Sequence, residues 1–216
     1  MGKNLRKYKT VFFDWHGTLS GSLFWDQWKD SAHPRHEWHA PLSRYLLGEN
    51  MPMVMEWMRG RVIAEEIVAM LADHFEYSRE IIFRDLKESC EMMRLVSDEV
   101  LPLVQKLRKN GTKCVIATDN MDTFTRFTVP ALRLSEHFDG VLNSFETGML
   151  KQDVDEHNLD RIPFFEDFLR DNNMEYRDAV LLDDSDYTSG MYERCGLDVV
   201  RISDPDDFVG KLRKLA

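Results

Sequence analysis

Apolar positions follow two rhythms along this chain. Short, nearly continuous apolar runs stand at "TVFF", "KCVIAT", "GVLNS", "AVLLDD" and "LDVVRI". Runs of that length, rich in β-branched residues and bounded by polar or glycine-containing stretches, predict strands buried on both faces. From residue 21 to about residue 96 apolar residues instead recur at spacings of three and four, as in Ile67, Met70 and Leu71, then Ile81, Ile82 and Leu86. That spacing predicts helices over "SLFWDQWKDSA", "HAPLSRYLLGENMPMVMEWMRG", "AEEIVAMLADHF" and "REIIFRDLKESCEMMRLV", with Ser78 capping the last. Beyond residue 97 strands and helices alternate. Ser97 is expected to cap "DEVLPLVQKLRKN", Gly111 to follow its end, and further helices to lie over "IPFFEDFLRDN" and near "SGMYERC". The alternation predicts an α/β fold, a Rossmann-like parallel sheet with helices on both faces, built from residues 1–20 and 97–216. Residues 21–96 form an α-helical insert after the first strand, placed to overhang the carboxyl ends of the strands, where open α/β sheets bind ligands.

Composition narrows the function classes. Of 216 residues, 43% are hydrophobic and 11% aromatic, enough for a substantial core. The net charge of -10 argues against nucleic-acid binding, which calls for a basic face. The N-terminal "MGKNLRKYKT" is basic but no apolar segment follows it, so neither a signal peptide nor a membrane span is expected. Cys90, Cys114 and Cys195 have neither C-x-x-C nor zinc spacing, and free thiols suit a reducing, cytoplasmic setting.

The chemistry-bearing residues gather at strand ends. "TVFF" runs into Asp14, "CVIA" into Thr118, Asp119 and Asn120, and "AVLL" into the doublet Asp183-Asp184, while Lys151 follows the strand that ends near Ser144. In a parallel sheet these ends share one edge, which collects several carboxylates, a hydroxyl and an ammonium in one crevice. Helix capping accounts for any one of these residues alone. It does not account for adjacent acids, which repel unless a cation or hydrogen bonds stabilise them. A hard cation such as Mg2+, which takes oxygen ligands and retains waters, fits the set.

Four segments, in order, resemble the motifs of the haloacid dehalogenase superfamily of hydrolases: "FFDWHGTL", "VIATDN", "ETGMLKQD" and "AVLLDDSDYTSGMYERCGLDVV". The resemblance extends over nearly all of residues 8–202, and the insert matches the family's cap, including "GRVIAEEI". It implies that Asp14 is the nucleophile that forms an aspartyl-phosphate, and that Thr118 and Lys151 hold the phosphoryl oxygens. Asp184 would bind Mg2+ together with Asp183, Asp14 and the backbone carbonyl of His16, with Asp186 a weaker candidate. Two positions depart from the family. Gln152 replaces a common proline, and His16 replaces the aspartate that serves phosphatases as general acid and base. An imidazole, with a free pKa of about 6.5, suits proton transfer near neutral pH. Otherwise His16 positions substrate while another group moves the proton, or catalysis is weakened and the fold binds a phosphorylated ligand or a partner. Dehalogenation needs no metal and leaves the acidic doublet without a role. Schiff-base phosphonate cleavage needs a cap lysine, and the insert holds only Lys29 and Lys87.

All five tryptophans, Trp15, Trp25, Trp28, Trp38 and Trp57, fall between residues 15 and 57, with Met51, Met53, Met55 and Met58 beside the last. At helical spacing such residues are expected in the core of the insert. The sharper possibility is an apolar substrate pocket, for which Trp15, next to the nucleophile, is the best candidate, joined by Asp119 and Asn120. His33, His36 and His39 are spaced by three, but Pro34 interrupts them and no further ligand completes a metal set, so a solvated loop is expected. The expected function is Mg2+-dependent hydrolysis of a small phosphorylated metabolite by a monomer or homodimer without nucleic-acid or membrane partners.

Overall fold

The five apolar runs form five parallel strands in the computed structural model, which describes residues 8–155, 157–186 and 190–216. The strands are β1 (Thr10–Phe13), β2 (Lys113–Thr118), β3 (Gly140–Asn143), β4 (Ala179–Asp183) and β5 (Asp198–Arg201), in the order β3-β2-β1-β4-β5. β1 therefore lies at the centre, with Phe13 paired to Ile116 on one side and to Leu182 on the other. The chain leaves β1 toward β2 and later returns to its other side as β4, so the crevice of this sheet opens at the carboxyl end of β1.

Alternate strand residues serve opposite faces. Phe12, Val115, Ala117 and Leu181 pack with Phe164, Phe165 and Leu169 of the helix Pro163–Asp171 and with Tyr192 of the helix Met191–Cys195. Val11, Phe13, Cys114, Ile116, Val180 and Leu182 pack on the other face with Val100, Val104 and Leu107 of a helix at Val100–Lys109 and with Phe208 and Leu212 of the helix Pro205–Leu215. That last helix goes beyond the sequence reading. Its start is nonetheless legible: Asp204 accepts a hydrogen bond from Asp207 N at 2.9 Å, and Pro205 opens the first turn.

Residues 21–96 hold only helices and turns, as expected: α1 (His36–Arg44), α2 (Met51–Met58), α3 (Ala64–Phe75) and α4 (Arg79–Glu91). Ser78 caps α4 by accepting from Ile81 N, as its position predicted. Three helices are shorter than periodicity predicts, α4 among them, since it ends at Glu91 rather than at Val96. The long one breaks into α1, a wide turn over Tyr45–Glu49 and α2; the backbone leaves the helical region at Asn50, and Pro52, with no N–H to donate, falls in the first turn of α2, where none is needed. "SLFWDQWKDSA" keeps only the single turn Asp26–Lys29. There Asp26 accepts from Leu23 N at 2.7 Å, a local bond that competes with the helix. The rings of Trp25 and Trp28 are instead tied to α4, through Ile82 O and Asp85 Oδ2. Trp25, Trp28 and Trp57 are buried in a core continuous with the second sheet face, whereas Met51 and Met53 are exposed. The segment closes on itself where Val96 N donates to Leu19 O at 3.0 Å. Residues 1–7, expected in the core domain, and Ser189, expected at the start of the helix near "SGMYERC", lie outside the described residues.

Candidate active site

Asp14 follows β1 directly, its N–H donating to Leu182 O at 2.9 Å, so the backbone of β4 fixes its position. The Lys151 ammonium lies 2.7 Å from Asp14 Oδ1 and 2.5 Å from Asp183 Oδ2. Lys151 is 2% exposed and Asp183 fully buried, so this is a desolvated triad. Three bonds hold the lysine segment. Lys151 N donates to Asp119 Oδ1 at 2.9 Å, Lys151 O accepts from Tyr192 Oη at 2.9 Å, and Asp153 Oδ2 accepts from Leu150 N at 2.9 Å. Asp153 is in turn gripped by Arg59, just beyond α2, through a two-point ion pair in which Nη2 lies 2.7 Å from Oδ1.

Asp14, Asp183 and Asp184 each bring a carboxylate oxygen within 4.8 Å of the others, the one such cluster among the described residues. Gly17 makes room for Asp184: a Cβ there would lie 2.1 Å from Asp184 Oδ2, and the backbone φ of +76° is one that glycine adopts readily. Four carboxylates (Asp14, Asp119, Asp183 and Asp184) thus face one lysine. Burial pushes the Asp14 carboxyl up to about 7 against the pull of Lys151, and the charge of Asp183 adds to the rise. Burial likewise raises Asp119 and Asp184, with Asp183 a further cause at Asp184 and His16 and Lys151 opposing it. Burial alone would lower Lys151, but the charges of Asp14, Asp183 and Asp119 outweigh it and hold the ammonium protonated. The site is short of positive charge, and its convergent donors are all hard oxygens. Those two facts fit a divalent cation that keeps part of its water shell.

The other sequence candidates stand around this centre. Thr118 ends β2, buried and in register with Asn143. Asn120 is fastened by its backbone, whose N–H donates to Ser144 Oγ at 3.0 Å, while its side-chain oxygen accepts from Met121 N. Trp15 is buried against Phe124, ring centres 5.0 Å apart, and His16 is exposed. Trp15, His16, Asp119 and Asn120 line a cavity of about 210 Å3 whose far wall comes from Phe24, Val54, Met58 and Met93. Asp186 stands apart from the carboxylate cluster, paired with Arg201 at 3.0 Å. Contrary to a solvated loop, His36 and His39 belong to α1. His33 stacks on Trp28, and His36 Nδ1 bonds to Trp28 O at 3.0 Å, so two of these rings serve local packing.

Sequence reasoning missed the residues that hold the others in place. Asp153 had a legible signal, lying two positions after Lys151 in "KQD". Gly17 had one too, in the Gly-Thr pair after the nucleophile strand. Arg59 and Tyr192 had none, because their partners lie 94 and 41 residues away.

No protein-family model and no curated protein sequence matches the chain. Solved structures do. A predicted HAD-like family hydrolase from Porphyromonas gingivalis aligns over 97% of this chain and 98% of its own, with a TM-score of 0.67 and 16% identity. A HAD family enzyme from Bacteroides thetaiotaomicron, solved with magnesium and inorganic phosphate, aligns over 90% and 93%, with a TM-score of 0.65 and 13% identity. L-2-haloacid dehalogenase from Xanthobacter autotrophicus, solved with chloropropionic acid covalently bound, aligns over 90% and 77%, with a TM-score of 0.60 and 14% identity. At these identities the likeness establishes a shared fold, that of the haloacid dehalogenase-like hydrolases. Among the described residues no helix is long and apolar enough to cross a membrane.

Proposed function

We propose that this chain, with its haloacid dehalogenase-like fold, is a Mg2+-dependent phosphatase acting on a small phosphorylated metabolite through an aspartyl-phosphate on Asp14. The observation that carries this reading is the Lys151 ammonium held between Asp14 and Asp183, with Asp184 completing an all-oxygen cluster. A haloacid reaction needs no divalent cation, and the Bacteroides enzyme of the same fold was solved with magnesium and phosphate. Residues 1–20 and 97–216 would form the core domain and 21–96 a cap closing over the site. The acidic net charge and the three free thiols favour a cytoplasmic monomer or homodimer without nucleic-acid or membrane partners.

Asp14 Oδ attacks phosphorus as the ester P–O bond breaks, and the departing oxygen takes a proton from His16. Water then attacks the phosphorus of the aspartyl-phosphate, yields its proton to His16, and frees Asp14. Lys151 and Thr118 hold the phosphoryl oxygens, and Lys151 offsets the charge that builds on them. Asp14, Asp183, Asp184 and the carbonyl of His16 would hold Mg2+, which when bound supplies charge neutralisation for the transferred group.

Release of inorganic phosphate from p-nitrophenyl phosphate by the purified chain tests the reading. Turnover should require Mg2+ and vanish in Asp14→Asn. Halide release from a 2-haloacid in chelator, with no phosphate release in Mg2+, would overturn it.

A further inference from the structure

The cavity beside Asp14 is walled mostly by apolar side chains. Phe24, Val54, Met58, Met93 and the Trp15 ring enclose most of it, and Leu47 and Met51, both more than a third exposed, carry the apolar lining out to solvent. The wall is firm. Phe24 stacks on Trp57 at 5.6 Å and 29°, and Trp57 Nε1 donates to Asp122 Oδ1 at 2.6 Å. Among the described residues no lysine or arginine lines this space. Three of its polar side chains are each engaged at one acceptor: Asp119 accepts from Lys151 N, Asn120 from Met121 N, and Ser22 Oγ from Arg94 N; His16 and the Trp15 Nε1 donor are the polar groups left on the lining.

Resting on the phosphatase reading, we propose that this cavity takes the leaving group of the substrate, and that the leaving group is a compact, uncharged, apolar alcohol: a monocyclic aryl or short branched alkyl group. Size and chemistry agree. A dry apolar cavity of about 150 Å3 accommodates benzene, and this one measures about 210 Å3. A sugar would set most of its hydroxyls against methionine, leucine and phenylalanine, losing more hydration than the few polar groups of the lining replace. A second phosphate or a carboxylate would meet Asp119 and find no lysine or arginine in the lining to receive it. The exposed apolar rim at Leu47 and Met51 gains contact when such a group enters.

Rates of phosphate release with Mg2+ decide the matter, using phenyl phosphate and 3-methylbutyl phosphate against glucose 6-phosphate and AMP, with acetyl phosphate as the minimal donor. The apolar esters should exceed the sugar and nucleotide by at least about tenfold in kcat/KM. Val54→Trp, which fills the cavity, should shrink the ratio of phenyl to acetyl phosphate. Met51→Asp, on the exposed rim and independent of core packing, should raise KM for both apolar esters. Equal or better turnover of glucose 6-phosphate or AMP overturns this inference and leaves the phosphatase standing, as does a ratio and a KM that neither substitution moves. No phosphate from any donor, acetyl phosphate included, overturns the phosphatase reading and this one with it.

Discussion

Lys151 lies between two buried carboxylates, and its charge is the one lysine charge opposed to four acids. Replacing it with methionine keeps the bulk and removes the charge. Lys151→Met should cost about 3–5 kcal/mol in urea unfolding at pH 8, because the carboxylates are left buried and uncompensated. The loss should be smaller at pH 5, where burial keeps Asp14 protonated. Asp14 gives the opposite sign. Its folded pKa is raised to about 7, so through the window from about 4 to 7 the native state holds a proton that the unfolded chain has released. The stability contribution of this group therefore falls as pH rises through that window and levels off above it. Asp14→Asn cannot ionise. In metal-free buffer it should become more stable than the parent by on the order of 2–4 kcal/mol at pH 8, with little difference near pH 4, measured by urea unfolding at the two pH values. Gly17→Ala places a methyl where Asp184 Oδ2 sits, so it should weaken Mg2+ binding and slow turnover together, read by titration calorimetry and steady-state rates.

The elements bring these side chains together only because β1 is central and its two neighbours are parallel to it. That much was legible in the sequence: "KCVIAT" is β2 residue for residue, and "AVLLDD" runs over its boundary by one acid. Buried parallel strands carry an unbroken apolar signal, and the residue that ends each apolar run is polar, so Asp14, Thr118 and Asp183 could be placed on one edge without coordinates. Where the reading failed, a local side-chain bond or proline overrode periodicity, as at Asp26 and Pro52. The link between α2 and the lysine segment was illegible for a different reason. Ion pairing between Arg59 and Asp153 leaves no local pattern. Because both partners are partly exposed, Arg59→Met should cost no more than about 1 kcal/mol in stability. It should lower kcat by about tenfold, since a loosened Lys151 is misplaced at the transition state. Thermal unfolding beside steady-state kinetics separates the two effects.

For the whole molecule, an acidic chain whose candidate site is itself short of positive charge should be stabilised by a cation that binds only the folded form. At 100 times its dissociation constant Mg2+ should contribute about 2.7 kcal/mol. Thermal unfolding in Mg2+ against chelator reads that gain, which Asp184→Asn should lose. The central claim is that Asp14 itself accepts the phosphoryl group. Rapid quench of the enzyme during turnover of phenyl phosphate, followed by borohydride reduction and peptide mass spectrometry, tests it most directly. An aspartyl-phosphate at Asp14 is reduced to homoserine at that position alone, and this is the predicted result. Turnover with Asp14 unmodified, or with the label at another residue, would contradict the account.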